Sequence, residues 1–158
     1  MVSASLPARR PEADSKARLR LWIRLFRASR LIEGVARERL KSQFKATLPR
    51  FDVMAALYRR PGGMLMSEIS RYLMVSNGNV TGIVDRLVSD GFAVRAQRNG
   101  DRRTSFISLT REGRAFFAEM AAAHEAWVDE LLSGISVRDA DQLSTKLKLF
   151  QSEWESGA

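Results

Sequence analysis

Apolar residues recur every three or four positions over most of the chain, and alternate over two short stretches near its middle. From residue 15 to 46 the pattern predicts one long helix, with Leu21, Trp22, Leu25, Ile32, Ala36, Leu40 and Phe44 on its apolar side. Ahead of it, residues 1–14 contain Pro7 and Pro11 and no periodic apolar positions, and they read as a mobile N-terminal arm. Thr47 is a good cap for a second helix, with Pro49 in its first turn and Phe51, Met54, Leu57 and Tyr58 on one face. Pro61, Gly62 and Gly63 stop it, and Met64–Met66 leaves room only for a single small strand. Ser67 reads as the cap of a short helix carrying Ile69 and Leu73, which ends at Val75. Ser76 reads as the cap of the next helix, 77–90, with Val80, Ile83, Val84, Leu87 and Val88 on its inner face and Gly91 as its stop. Residues 92–97 and 105–109 alternate loosely, as strands do, and Asn99-Gly100 between them is a strong turn signal. Thr110 caps a fifth predicted helix that runs to about Ser133, with Phe116, Phe117, Met120, Ala123, Trp127, Leu131 and Leu132 as its apolar side. Ser136 with Asp139 has the form of a capping box, Asp replacing Glu, and opens a sixth helix with Leu143, Leu147, Phe150 and Trp154.

Two short helices joined by a tight turn, followed by a β-hairpin with a basic tip, make a winged helix-turn-helix. The expected fold is therefore mainly α with a small β-hairpin wing. Residues 15–158 read as a single domain, with 47–110 as a winged-helix lobe and 15–46 and 111–158 as flanking helices. Those flanking helices carry more apolar surface than so small a lobe can cover, which points to a homodimer formed through the chain ends.

Charge adds a partner class. The 158 residues carry a formal net charge of +8, unevenly spread. Residues 1–50 hold 13 basic and 4 acidic side chains, residues 51–110 hold 8 and 5, and residues 111–158 hold 5 and 9. A basic front and an acidic tail suit a polyanion bound by the first two thirds. On the long helix, Lys16, Arg20, Arg24, Arg27, Arg30, Arg37, Lys41 and Lys45 fall in one stripe, which is either a solvated face or a place for phosphates. No cysteine is present, which excludes disulfides and thiolate chemistry, and the lone histidine, His124, reads as structural. No apolar run approaches the ~20 residues of a membrane span and no secretory signal is visible, so a cytoplasmic protein with no membrane association is expected.

The helix 77–90 is the candidate reading element. With Val80 at the centre of the buried face, Gly78, Gly82, Asp85 and Ser89 point nearly opposite, flanked by Asn77 and Thr81 on one side and Asn79 and Arg86 on the other. A glycine inside a helix costs roughly 1 kcal/mol relative to alanine, so two on the exposed face need a reason. Close approach to a DNA groove is one; tolerance by a helix packed well elsewhere is the other. Ser76, Asn77, Asn79 and Thr81 can hydrogen-bond base edges or phosphates. Across the hairpin, Arg98, Arg102 and Arg103 suit a narrow A·T-rich minor groove. Asp101 among them is expected to hold a neighbouring guanidinium.

The ordered set Ser76 to Leu87, Asp90 to Arg95, Asp101-Arg102-Arg103 and Leu109 to Gly113 resembles the core of the MarR (multiple antibiotic resistance regulator) family over about 40 residues. Any one of these motifs is weak and their order is strong. The resemblance implies a homodimeric winged-helix protein on double-stranded DNA, usually a repressor on a pseudo-palindromic operator. In many members a small aromatic ligand between the dimerisation helices and the DNA-binding lobe releases the DNA. Carried over by position, Ser76, Asn77, Asn79 and Thr81 lie on the helix that enters the major groove, while Asp101 and Arg103 match the family's wing pair. Gly82 departs from the larger, often basic, residue of many members, which puts the base preference in doubt. The implied pocket draws on Trp22, Phe26, Phe51, Met54 and Tyr58, residue types that at this spacing also serve as ordinary core. A looser similarity to members governing hydroxycinnamate catabolism implies an aryl-CoA thioester such as a hydroxycinnamoyl-CoA, with Arg30, Arg37, Lys41 and Lys45 on its phosphates.

Two other function classes compete. A sensor-less DNA-organising protein would bind random and operator DNA alike. An enzyme would need a catalytic constellation, and the chain has no phosphate-binding loop ending in Gly-Lys-Ser/Thr, no Gly-x-Ser-x-Gly and no metal-ligand cluster. No cofactor is called for, only a small-molecule effector.

Overall fold

The computed structural model describes residues 12–97 and 105–156. It is mainly helical with one small antiparallel sheet, as expected, and it divides into two compact units cut between Leu48 and Pro49. The turn at Asn99-Gly100 and residues 1–11 of the expected arm lie outside the described residues.

The first unit is built on α1 (Glu12–Phe44), one continuous helix of 33 residues. It begins three residues earlier than the apolar pattern predicts. Asp14 in the first turn suits the extension, because a carboxylate there opposes the positive end of the helix dipole. It ends at Phe44 rather than 46, with Lys45 in the left-handed region at φ 50°. Its second half carries the buried Ala36 and Leu40 but also the exposed Leu31, whereas Leu19, Trp22 and Phe26 in the first half are all exposed.

The second unit holds the rest. α2 (Leu48–Tyr58) follows Thr47 directly and has Pro49 in its first turn. Its buried face is wider than predicted, adding Val53 and Ala56 to Phe51, Met54 and Leu57. β1 (Met64–Leu65) leads into α3 (Met66–Leu73). Ser67 does not cap α3. The cap is Leu65 and the helix starts at Met66, two residues earlier than a Ser67 cap implies; the Glu68 carboxylate accepts from the Leu65 N–H at 2.8 Å, which satisfies one of the free donors at the helix start. α4 (Asn77–Ser89) starts after Ser76 as predicted, although the Ser76 hydroxyl makes no capping bond. Val80, Val84 and Leu87 are fully buried, while Val88, predicted to face inward, is exposed at 36%.

β2 (Ala93–Gln97) and β3 (Ser105–Leu109) pair antiparallel, and β1 adds to the other side of β3, giving the order β1-β3-β2. Ala93 faces Leu109 and Arg95 faces Ile107 in this register. α5 (Arg111–Leu132) is capped by Thr110, whose hydroxyl accepts from the Gly113 N–H at 3.0 Å. α6 (Val137–Ser156) opens on the predicted Ser136/Asp139 pair: the Ser136 hydroxyl donates to the Asp139 carboxylate at 2.7 Å and accepts from the Asp139 N–H at 3.2 Å. Leu143, Leu147 and Phe150 on α6 are exposed.

Both helix ends that frame the helix-turn-helix use the same device. After α4, the Phe92 N–H donates to Leu87 and the Gly91 N–H to Val88, with Gly91 at φ 77°, which is a Schellman motif. After α3, the Val75 N–H donates to Ser70 and the Met74 N–H to Arg71, with Met74 at φ 54°. Methionine there carries the left-handed penalty of roughly 1–2 kcal/mol that glycine escapes, and its side chain is 93% exposed with little packing to offset it.

Two substitutions test these joints. Met74→Gly is expected to raise stability by about 1 kcal/mol, less the added backbone entropy of the unfolded chain. Gly113→Ala is expected to lower it by about 3 kcal/mol, because a Cβ at 113 would overlap the Phe92 carbonyl oxygen. Urea midpoints at constant slope measure both; equal midpoints for Gly113→Ala and wild type would contradict the packing.

Candidate nucleic-acid interface

α4 has an inner and an outer side with little between them. Its inner side is the buried row Val80, Val84 and Leu87, and α3 packs against it. Its outer side presents Gly78, Asn79, Thr81, Gly82, Asp85, Arg86 and Ser89, all exposed. Ser76 is exposed at the helix start and Asn77 is the first helical residue. A Cβ built at Gly78 or Gly82 meets nothing within 4 Å. The described residues give no steric reason for either glycine.

Two ion pairs fix this helix. The Arg95 guanidinium, from β2, donates to the Asp85 carboxylate. At the other end, Arg50 of α2 pairs with Asp90 at 2.9 Å, and its guanidinium lies 5.4 Å from the centre of the Phe92 ring. Arg50 is largely buried, with a side-chain exposure of 14%. Phe92 in turn stacks face to face on Phe116 of α5, ring centres 4.7 Å apart. Neither Arg50 nor Arg95 stands out in the sequence. Arg50 gives no periodic signal, and Arg95 closes one of the quoted motifs but reads by itself as one polar position of a strand. Its aim becomes visible once the register pairs it with the buried Ile107.

The hairpin residues Arg98, Asp101, Arg102 and Arg103 lie outside the described residues. The strands that lead to them do not: β2 and β3 run paired up to Gln97 and Ser105.

The residues expected at a ligand pocket fall in the two separate units. In the first, Trp22 and Phe26 are exposed with ring centres 5.7 Å apart, and the Arg30 guanidinium sits 5.3 Å from the Phe26 ring centre. Arg37, Lys41 and Lys45 are exposed on the same helix and just past its end. Arg30 also approaches Glu33 at 3.9 Å. In the second unit Phe51 and Met54 are buried, and Tyr58 is half-buried. Phe51 and Tyr58 both lie against Phe117, at 5.3 and 4.9 Å between ring centres, and Phe51 is 5.0 Å from the His124 ring. His124 thus sits in an aromatic cluster with Trp127.

Residues 46–105 match the model of the MarR family. Over 87% of this chain and 83% of the relative, 33% of positions are identical to PecS, a helix-turn-helix transcriptional regulator of Dickeya dadantii. A solved MarR-family transcriptional regulator from Silicibacter pomeroyi is 31% identical, superposes with a TM-score of 0.74, and is covered over 99% of its length by 92% of this chain. The chain belongs to the MarR family. Its family and relatives are DNA-binding transcriptional regulators, not enzymes. Among MarR-family relatives, BadR of Rhodopseudomonas palustris, a transcriptional activatory protein, is 30% identical over 80% of this chain and 75% of its own. Solved structures that share only the fold include MepR of S. aureus in complex with DNA, at 22% identity and a TM-score of 0.70. Another is CouR of Rhodococcus jostii RHA1 bound to p-coumaroyl-CoA, at 20% identity and a TM-score of 0.70.

Proposed function

We propose that this MarR-family protein is a cytoplasmic, homodimeric, sequence-specific repressor. Its operator is pseudo-palindromic, and a small aromatic ligand, specifically an aryl-CoA thioester of the hydroxycinnamoyl type, releases it. The outer side of α4 carries the reading of DNA: small, polar and open, with Ser76, Asn79, Thr81 and Arg86 around two glycines that nothing among the described residues crowds, and with Asn77 as a further proposed contact. Arg98, Asp101, Arg102 and Arg103 are the proposed hairpin contacts, the arginines in the minor groove. Dimerisation is supported by apolar side chains left in water on both terminal helices. Trp22, Leu31, Leu147 and Phe150 are 59%, 62%, 43% and 56% exposed in the single chain, and large apolar side chains left in water in this number mark protein contacts.

The thioester reading rests on α1. Aromatic rings and guanidinium groups share its exposed surface at Trp22, Phe26 and Arg30, and the bases Arg37 and Lys41 continue along it. An aryl group and a run of phosphates is the ligand chemistry that such a combination fits. CouR, of similar fold, binds p-coumaroyl-CoA.

The binding test uses a duplex recovered from a random pool by the wild-type protein, with a scrambled duplex as control, followed by fluorescence anisotropy. Preferred binding to the selected duplex with steep salt dependence is expected; equal affinity for both is the outcome of a sensor-less DNA organiser. Free hydroxycinnamates, their CoA thioesters and free CoA are then titrated, and release by the thioesters alone is expected. Charge reversal of Arg37 and Lys41 together should raise the thioester concentration needed about tenfold, and an unchanged concentration refutes the phosphate site. Run-off transcription from a promoter carrying the duplex should fall on addition of the protein; a rise would put it with BadR's activity.

Gly82→Ala separates the two accounts of the glycines. Closer DNA approach predicts opposite signs: higher thermal stability, by up to about 1 kcal/mol of helix propensity, and weaker binding to the selected duplex. Unchanged DNA affinity would leave the glycines as merely tolerated.

A further inference from the structure

Asp85 is out of place on a surface that meets DNA. It is the only carboxylate between Asn77 and Ser89, and it shares the outward row with Gly78, Gly82 and Ser89. A duplex carries one negative charge per ~1.7 Å of its axis. A bare carboxylate facing it would weaken binding to every sequence alike.

Its partner is chosen by the fold. Arg86, its neighbour in the chain, cannot face it, since adjacent residues of a helix diverge by about 100°. Arg95 can. In the antiparallel register Arg95 lies opposite Ile107 and two residues beyond Ala93, which lies opposite Leu109. Opposed residues and alternate residues share a face, and Ala93, Ile107 and Leu109 are all buried on that face. Arg95 therefore starts from the helix side of the sheet, at the open end of the α4–β2 contact, and its guanidinium donates to the Asp85 carboxylate. Both side chains remain partly in water, at 55% for Asp85 and 42% for Arg95, so the pair contributes little to stability. Its value lies elsewhere.

We infer that Asp85 is a positioning residue for DNA recognition: it latches Arg95 across the α4–β2 junction, which couples the reading helix to strand β2 and keeps both charges off the phosphate backbone. This rests on the reading of α4 as the helix that enters the groove. A tie of this strength biases helix and strand toward one arrangement without holding the fold together, so the latch acts on selectivity more than on stability or raw affinity. With the carboxylate gone, Arg95 is free to reach a phosphate.

Asp85→Asn, Arg95→Ala and the double variant are compared with wild type on the selected and scrambled duplexes across a salt series, with thermal unfolding as the check that each is folded. Asp85→Asn is expected to tighten binding to the scrambled duplex, steepen the slope of log affinity against log salt by about one, and lower the selected-to-scrambled ratio about tenfold. Arg95→Ala, which bares the carboxylate, is expected to weaken both duplexes about tenfold. The double variant should regain most of that affinity and none of the selectivity. A slope and ratio unchanged in Asp85→Asn overturn the latch. So does a slope made shallower by about one in Arg95→Ala with no effect of Asp85→Asn, which makes Arg95 itself a phosphate contact. A wild-type protein with no preference for any duplex overturns the sequence-specific reading itself, and the latch with it.

Discussion

At Gly91-Phe92 the chain leaves the reading helix and enters the sheet, and the main chain there is held from several directions at once. The Thr110 hydroxyl donates to the Gly91 carbonyl at 2.7 Å and the Thr110 N–H to the Phe92 carbonyl at 3.0 Å. The same hydroxyl then accepts from the Gly113 N–H, which places the first turn of α5 directly over Phe92. Glycine at 113 is what permits it, since any side chain would enter the van der Waals radius of the Phe92 carbonyl. The Phe92 ring completes the joint, stacked on Phe116 and covered by the Arg50 guanidinium that also holds Asp90. One dipeptide thus ties together α2, α4, the β2–β3 pair and α5. A shift of α2 or α5 reaches the end of the reading helix through packed atoms rather than through a loop, and close-packed joints of this kind shift between arrangements instead of stretching.

Most elements of this fold are legible in the sequence because each is announced locally. The buried row of α4 follows from a 3.6-residue period, and Gly91 and Thr110 mark its end and the start of α5 by chemistry that needs no tertiary context. What is not legible depends on neighbours far along the chain. β1 is two residues long and exists because β3, some forty positions later, offers it a free edge. The cap of α3 is a carboxylate at Glu68 reaching back, not the serine before it. Met74 adopts a conformation that sequence assigns to glycine or asparagine, so the tightness of the turn is visible while its means is not. Val88 is 36% exposed although the helical period places it beside the buried row, so the period alone does not set the edge of the packed face.

For the candidate interface, the exposed side of α4 is legible for the same reason as its buried side, being the complement of the period. The partners of its charges are not. Asp85 with Arg95 and Asp90 with Arg50 are pairs of residues 10 and 40 positions apart in the sequence, brought together by strand register in one case and by helix packing in the other. The sequence presents four charges; the fold turns them into two ties, one at the middle and one at the end of the same helix.

That arrangement bears on why so poor a helix can serve as the reading element. Asn77 to Ser89 contains two glycines and a run of small polar residues, together weaker than alanine by a few kcal/mol of propensity. Against this stand Val80, Val84 and Leu87, each fully buried and each contributing about 1.5–3 kcal/mol. The inner face alone outweighs the deficit of the outer one, and the Schellman turn at Gly91 closes the helix without help from its outer residues. Stability and reading therefore sit on opposite sides of one helix. The outer side can change in residue type with little effect on folding, provided that the inner row and the Gly91-Phe92 joint are kept.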